Sequence, residues 1–254
     1  MIAALEFELL KARRAAVFRW GAVAVGAGVP ALCTLFFQLA RSGGGSPGAL
    51  KAAAMIPALD LAGLVAMAGQ VLSVAVLLTA GIATSWSFGR EHVDGAAAAL
   101  FATATPRPAI AAAKFLVLTA WASATVLAAV ALTLTAGLLL QLPLNQAALD
   151  AAMRAVLAGL LSALLALPLG LVASWRRGYL AGFVVLVLVI VATQIITATG
   201  GGHWFPYAVP SLWAGMGGAE AAADISPLGL LTVPLTAALG IVATLYWWST
   251  FEEF

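Results

Sequence analysis

Charge is what this chain lacks. Lys and Arg number 12 and Asp and Glu 10 in 254 residues. Charged residues are therefore 9% of the chain, where a soluble domain carries about a quarter. With 63% hydrophobic residues and a mean hydropathy of +1.07, it has too little polar surface to cover a fold in water, but it can face lipid. The class is an integral membrane protein. A net charge of +2 gives no electrostatic footprint for nucleic acid. The single cysteine, Cys33, lies in an apolar run and excludes an internal disulfide. The two histidines, His92 and His203, are far apart, which excludes the one-turn histidine pair of a zinc protease. Neither has a serine context of the hydrolase kind. No acidic cluster stands ready for a metal-bound phosphate, and no glycine-rich Lys-Ser/Thr phosphate loop is present, so the chain is expected to bind no cofactor and to hydrolyse no ATP itself.

What is present is apolar length. A membrane span needs about 20 mostly apolar residues. Six such runs occur, at 17–40, 56–84, 110–141, 153–174, 179–198 and 227–250. The breaks between them are RSGGGSPG (41–48), a flexible loop, QLPLNQ (141–146), and the very short Arg176-Arg177-Gly178. That last connection makes spans four and five antiparallel neighbours. No internal repeat or second domain is evident, so residues 1–254 form a single transmembrane domain. Its fold class is an all-α polytopic membrane protein.

Cations set the orientation. Lys11, Arg13, Arg14, Arg19, Arg90, Arg107, Lys114, Arg176 and Arg177 fall on the side of the termini, against Arg41, Lys51 and Arg154 on the other. Both termini and the segment SWSFGREHVDGAAAALFATATPRP (85–108) are then expected in the cytoplasm, and 41–55, 142–152 and 199–226 outside. The N-terminal MIAALEFELLKARR does not read as a cleavable signal, because its charges follow its first apolar residues. Ile2, Leu5, Leu9 and Leu10 can share one face of a helix over 1–16, with the charges largely elsewhere, which suits a helix lying in the membrane interface.

Charge inside the spans is sparse. Asp60 sits near the outer end of the second span, Asp150 and Arg154 can pair one turn apart, Lys114 can snorkel, and Gln70 and Gln194 read as helix–helix hydrogen-bonding groups. This argues against a proton-coupled transporter. The segment 85–108 reads as a short amphipathic helix with Val93, Ala97, Leu100, Phe101 and Ala104 on one stripe, ended by Pro106 and Pro108.

The order Phe-Gly-Arg-Glu, Asp-Gly, an apolar run, Pro-Arg, then Lys before a span resembles the permease subunits of ABC-2 type exporters. The matching positions are Phe88, Glu91, Asp94, Gly95, Pro106, Arg107 and Lys114. The resemblance takes in the whole plan, and it extends to HWFPYAVPSLWAG (203–215), which is similar to the Trp/Pro-rich external stretch of bacterial drug and peptide exporters. Two departures stand out: Gly95-Ala96-Ala97 in place of Gly-Thr-Leu, and a compressed Pro106-Arg107-Pro108. The resemblance implies a multi-pass protein of the bacterial cytoplasmic membrane that exports a hydrophobic or amphipathic substrate. It implies a second permease chain, identical or related, and separate ABC ATPase subunits that carry ATP and Mg. Segment 85–108 would be the coupling helix, with Phe88, Gly89, Arg90, Glu91, Asp94, Gly95, Leu100, Pro106 and Arg107 as ATPase-coupling residues and Glu91 as the first contact. Trp204, Phe205, Pro206, Tyr207 and Trp213 would form an external re-entrant segment or gate, although Trp and Tyr also gather at membrane interfaces whatever the function. A non-transporting scaffold and a secondary transporter are the alternatives that the residues leave open.

Overall fold

The computed structural model describes residues 2–43, 47–56, 58–101 and 103–250. Among them six helical runs are long and apolar enough to cross a membrane: Ala16–Arg41, Leu61–Val93, Arg107–Leu139, Gln146–Trp175, Tyr179–Ala198 and Pro227–Thr250. These are the six runs expected from the sequence, with different ends. The chain begins with helix α1 (Ile2–Arg14), and the first span follows as α2 (Ala16–Val23), a π-helical stretch (Ala24–Gly28) and α3 (Val29–Arg41). The widened stretch ends just before Pro30, which has no N–H to donate to the turn before it. The loop expected after this span contains a helix, α4 (Pro47–Met55). Proline is suited to a helix start, and the run Ala-Leu-Lys-Ala-Ala-Ala that follows is rich in strong helix formers.

Helix α5 (Leu61–Val93) is the centre of the bundle. Asp60 precedes its first turn, and its Oδ1 accepts the Gly63 N–H at 2.8 Å. α5 continues nine residues beyond the end expected for the second span, so the first part of segment 85–108 belongs to it. The expected single amphipathic helix over that segment does not form. The chain leaves α5 through a turn at Asp94-Gly95, makes the short α6 (Ala97–Phe101), and enters α7 (Arg107–Leu139) behind Pro106. Gly95 has φ +70°, a left-handed value that breaks the helix and suits glycine. Of the expected stripe, Ala97 is buried, Val93 and Ala104 are exposed, and the side chain of Phe101 lies outside the described residues.

The fourth span divides at Leu167-Pro168 into α8 (Gln146–Ala166) and α9 (Leu169–Trp175). The turn at Arg176–Gly178 then leads into α10 (Tyr179–Ala198), which packs back on α9 as expected and also on α5. Two short helices, α11 (Val209–Trp213) and α12 (Gly218–Ala223), precede the last span, α13 (Pro227–Thr250). Small residues set how closely α5 meets its neighbours. A Cβ at Gly69 would lie 3.0 Å from that of Ala155 on α8. A Cβ at Gly89 would lie 2.2 Å from the Tyr179 nitrogen, so only glycine lets α5 touch the backbone of the α9–α10 turn.

Gly89→Ala should therefore destabilise the protein by about 1–3 kcal/mol, the range for overpacking. Gly95→Ala, strained by its left-handed φ but surrounded by open space, should cost about 1–2 kcal/mol. Thermal unfolding of the two variants in detergent would rank them; an unchanged midpoint for Gly89→Ala would contradict the close approach.

Candidate functional site: a buried charge cluster beneath segment 85–108

α1 packs on α7, and its inward face is Ala4, Glu8 and Ala12 at four-residue spacing. Ile2, Phe7 and Leu10 point away from the protein, 76%, 54% and 49% exposed. The helix is amphipathic, as expected, but inverted relative to a soluble protein: small residues and a carboxylate face the core and large apolar groups face out. That arrangement suits a lipid surround.

Glu8 turns inward to meet Lys114, which is 1% exposed. Lys114 Nζ donates to Glu8 Oε1 at 2.9 Å, to Glu91 Oε1 at 2.5 Å and to the Ser87 carbonyl at 2.9 Å. Lys11 Nζ donates to the same Glu91 oxygen and lies 3.4 Å from Glu8 Oε2. Three segments thus share one cluster of two lysines and two glutamates whose formal charges cancel. Lys114 was expected to snorkel toward water; it is enclosed instead, because two carboxylates and a carbonyl occupy its three donors. Phe88 and Trp248 close over it, with Lys114 Nζ 5.9 and 6.0 Å from their ring centres. Phe88 also meets Phe115 at 4.8 Å and Trp248 edge-on at 5.8 Å. Burial, and then the Lys114 charge, hold the Lys11 ammonium below its ordinary pKa, against the opposing pull of Glu91 and Glu8.

The residues expected to couple to a partner divide by burial. Phe88, Gly89 and Glu91 are buried, and Leu100 and Arg107 are half-buried. Arg90, Asp94, Gly95 and Pro106 are exposed. Arg90 Nε donates to Asp94 Oδ2 at 2.7 Å and its guanidinium lies 4.8 Å from the Trp86 ring centre. Glu91, expected to reach outward, is 8% exposed and held by Lys11 and Lys114. The sequence places Glu8 and Lys11 on the polar side of the N-terminal helix, with Lys11 among the cations that set the orientation, and joins neither to Glu91 or Lys114. The signal available was the four-residue spacing Ala4, Glu8, Ala12, which places a lone carboxylate among alanines.

At the opposite end of the bundle, α11 packs against α5, α8 and α13 through Val209 and Leu212. Trp204 is 54% exposed, whereas Phe205, Pro206, Tyr207 and Trp213 are half-buried. Burial pushes the Tyr207 hydroxyl above its ordinary pKa. Tyr207 and Ser211 face Ser73, Ser162, Thr193 and Gln194 across a cavity of about 150 Å³. Arg154 lies over Trp213, 5.6 Å from its ring centre, while the Asp150 carboxylate accepts from Gln146 Nε2 at 2.9 Å rather than pairing as expected.

A family model described as ABC-2 family transporter protein matches residues 4–194. The match takes in α1, the charge cluster and segment 85–108, and it stops before the 199–226 segment. No curated protein matches the chain.

Removing one member of a buried charge network leaves its partners unpaired, at a cost of about 3–5 kcal/mol. Lys114→Met should lose that much stability, and Arg90→Ala, at an exposed pair, about 0–1 kcal/mol. Denaturation of the two variants in one detergent would show a near-native Lys114→Met if the cluster did not hold the helices together.

Proposed function

The chain belongs to the ABC-2 transporter family, and from that membership we propose that it exports a hydrophobic or amphipathic molecule across a bacterial cytoplasmic membrane. As an ABC-2 permease it is a multi-pass membrane subunit that works with a separate ABC ATPase. In this reading both termini and segment 85–108 face the cytoplasm, ATP and Mg are held by the ATPase, and two permease chains, identical or related, enclose the pathway. The likeness of the external stretch to drug and peptide exporters supports a drug, antibiotic, peptide or lipid-like substrate.

One observation supports the coupling role most: α5 runs without a break from the exposed pair Arg90 and Asp94 to Leu61 at the far end of the bundle. A helix of 33 residues spans about 50 Å. That exceeds the roughly 30 Å of membrane hydrocarbon, so a push on segment 85–108 has a stiff rod to act on. Arg90, Asp94 and Gly95, exposed around the turn, are the groups offered to the ATPase. Glu91, Phe88 and Leu100 hold the turn against α1 and α7, and Pro106 and Arg107 fix its return. Gly89 ties the same level of α5 to the α9–α10 turn. At the other end, α11 and α12 form the re-entrant element, with Trp204, Phe205, Pro206, Tyr207 and Trp213 at the external gate.

Pull-down of tagged permease from membranes tests this reading. The wild-type chain should bring down an ABC ATPase subunit. Reversing the exposed charges with Arg90→Glu and Asp94→Lys should reduce its recovery about ten-fold, or about 1.4 kcal/mol, without shifting the permease's own melting point. Full recovery and undiminished export in the double variant would refute the assignment.

A further inference from the structure

Where α1 meets the first span, a groove of about 370 Å³ runs between α1, α2 and α7. Its floor is built. Phe18 and Trp121 meet edge-on with ring centres 5.1 Å apart, and Trp121 Nε1 donates to the Phe18 carbonyl at 3.2 Å. Leu9 of α1 and Val117 of α7 add further apolar wall. Apart from two arginines, the rest of the lining is alanine, which keeps the groove open.

The arginines are Arg13 of α1 and Arg19 of α2, and no acidic residue lines the groove with them. Both side chains are exposed. The groove surface is almost wholly apolar, so the arginines give it their hydrocarbon stems and hold their charged heads beyond it. Neither guanidinium has an ion pair or a hydrogen bond among the described residues. The carboxylates of α1 do not supply one: Glu8 is taken up by Lys114 and Lys11, and Glu6 pairs with neither arginine. Between the two arginines in the chain, α2 starts at Ala16 behind Ala15, with no side-chain cap. Its first turn adds partial positive charge at the same elbow.

These features restrict the occupant. Two guanidiniums without counter-charge repel a cation and favour an anion, phosphate above all, because it accepts paired N–H bonds. The apolar trough adds nothing to the binding of a small soluble anion. An anionic head joined to a hydrocarbon tail uses both parts. The surroundings place it in the membrane: α1 turns Ile2, Phe7 and Leu10 outward, α2 and α7 belong to spans, and Trp20 is exposed next to Arg19, as aromatic residues are at a membrane interface.

We propose that this groove binds an anionic phospholipid of the adjoining leaflet, with its phosphate at Arg13 and Arg19 and an acyl chain along Leu9, Phe18 and Val117. The occupant fixes the elbow between α1 and the first span. The site lies outside the export pathway and does not depend on which substrate is carried.

Native mass spectrometry of the full permease chain in detergent tests the proposal, with dioleoylphosphatidylglycerol and dioleoylphosphatidylcholine as probes of the same chains and different head charge. The expected result is one phosphatidylglycerol retained per chain and several-fold less phosphatidylcholine. Arg13→Gln and Arg19→Gln should each reduce phosphatidylglycerol retention about five-fold, the effect of about 1 kcal/mol per basic residue at an anionic surface. Arg14→Gln removes the same charge from the same helix but lies outside the lining, and should leave retention within about two-fold of wild type. Ala120→Trp and Ala22→Trp fill the groove without changing charge, and each should lower retention; having two keeps the test decisive if one fails to fold. Equal retention of the two lipids would overturn the proposal, as would equal losses in Arg14→Gln and the groove variants, which would mean general surface attraction. Retention unchanged in the folded tryptophan variants would do the same. So would full competition by glycerol 1-phosphate, which would make a soluble phosphate the ligand, or loss of the lipid when the ATPase subunit binds, which would make that subunit the occupant.

Discussion

The Lys114 ammonium is the constraint around which this end of the molecule is built. It is enclosed among helices in a chain that has almost no charge to spare. An ion in such a place is tolerated only when its hydrogen bonds and its charge are met on the spot. Meeting them takes Glu8 from α1, and Glu91 and the Ser87 carbonyl from α5. The second lysine, Lys11, then balances the second glutamate. Each of the three segments therefore owes its position to the others. α1 cannot leave without stranding Lys114, and α5 cannot rotate without withdrawing both the Glu91 carboxylate and the Ser87 carbonyl.

This explains why α1 is inverted. A helix that brings one carboxylate to a buried lysine must present its narrow side, and Ala4, Ala12 and Ala15 allow the approach. Its large apolar residues are left on the exposed side. The proposed coupling uses the same geometry. Arg90, next to Glu91, and Asp94, about one turn after it, stand at the surface, so a force on the exposed pair would reach the cluster along one helix end, and through the cluster α1 and α7. Gly89 adds a fourth contact at that level, to the α9–α10 turn. In the proposed coupling, the exposed groups of this short stretch would present a surface and the buried groups would carry its displacement inward.

Much of this was legible in the sequence, for identifiable reasons. The six spans were, because lipid demands long apolar runs and the loops between them carry Gly, Pro and charge. The tight Arg176–Gly178 turn was, because three residues leave no room for anything but antiparallel neighbours. The course of α5 beyond residue 84 was not. Arg90, Glu91 and His92 interrupt the apolar pattern, and polar residues next to a span read as its end; but the helix runs on to the turn at Asp94-Gly95, and the Glu91 charge is neutralised by residues far away in the chain. α4 was hidden by its glycine-rich prelude. The break at Pro168 was hidden by the apolar residues on both sides, which fill one span by composition while the backbone bends. The cluster itself was visible only in pieces. Positions 8, 11, 91 and 114 carry no local pattern that joins them, and Glu91 read as solvent-facing because its eventual partners lie 80 and 23 residues away.

The two oxygens of Glu91 are not held alike. Two lysines supply six N–H donors, and two carboxylates and one carbonyl supply the acceptors within reach. Both lysines converge on Glu91 Oε1, so the carboxylate is gripped at one oxygen, while the other is buried without a hydrogen-bond partner among the described residues, and the convergence of the two lysines is the whole of its hold.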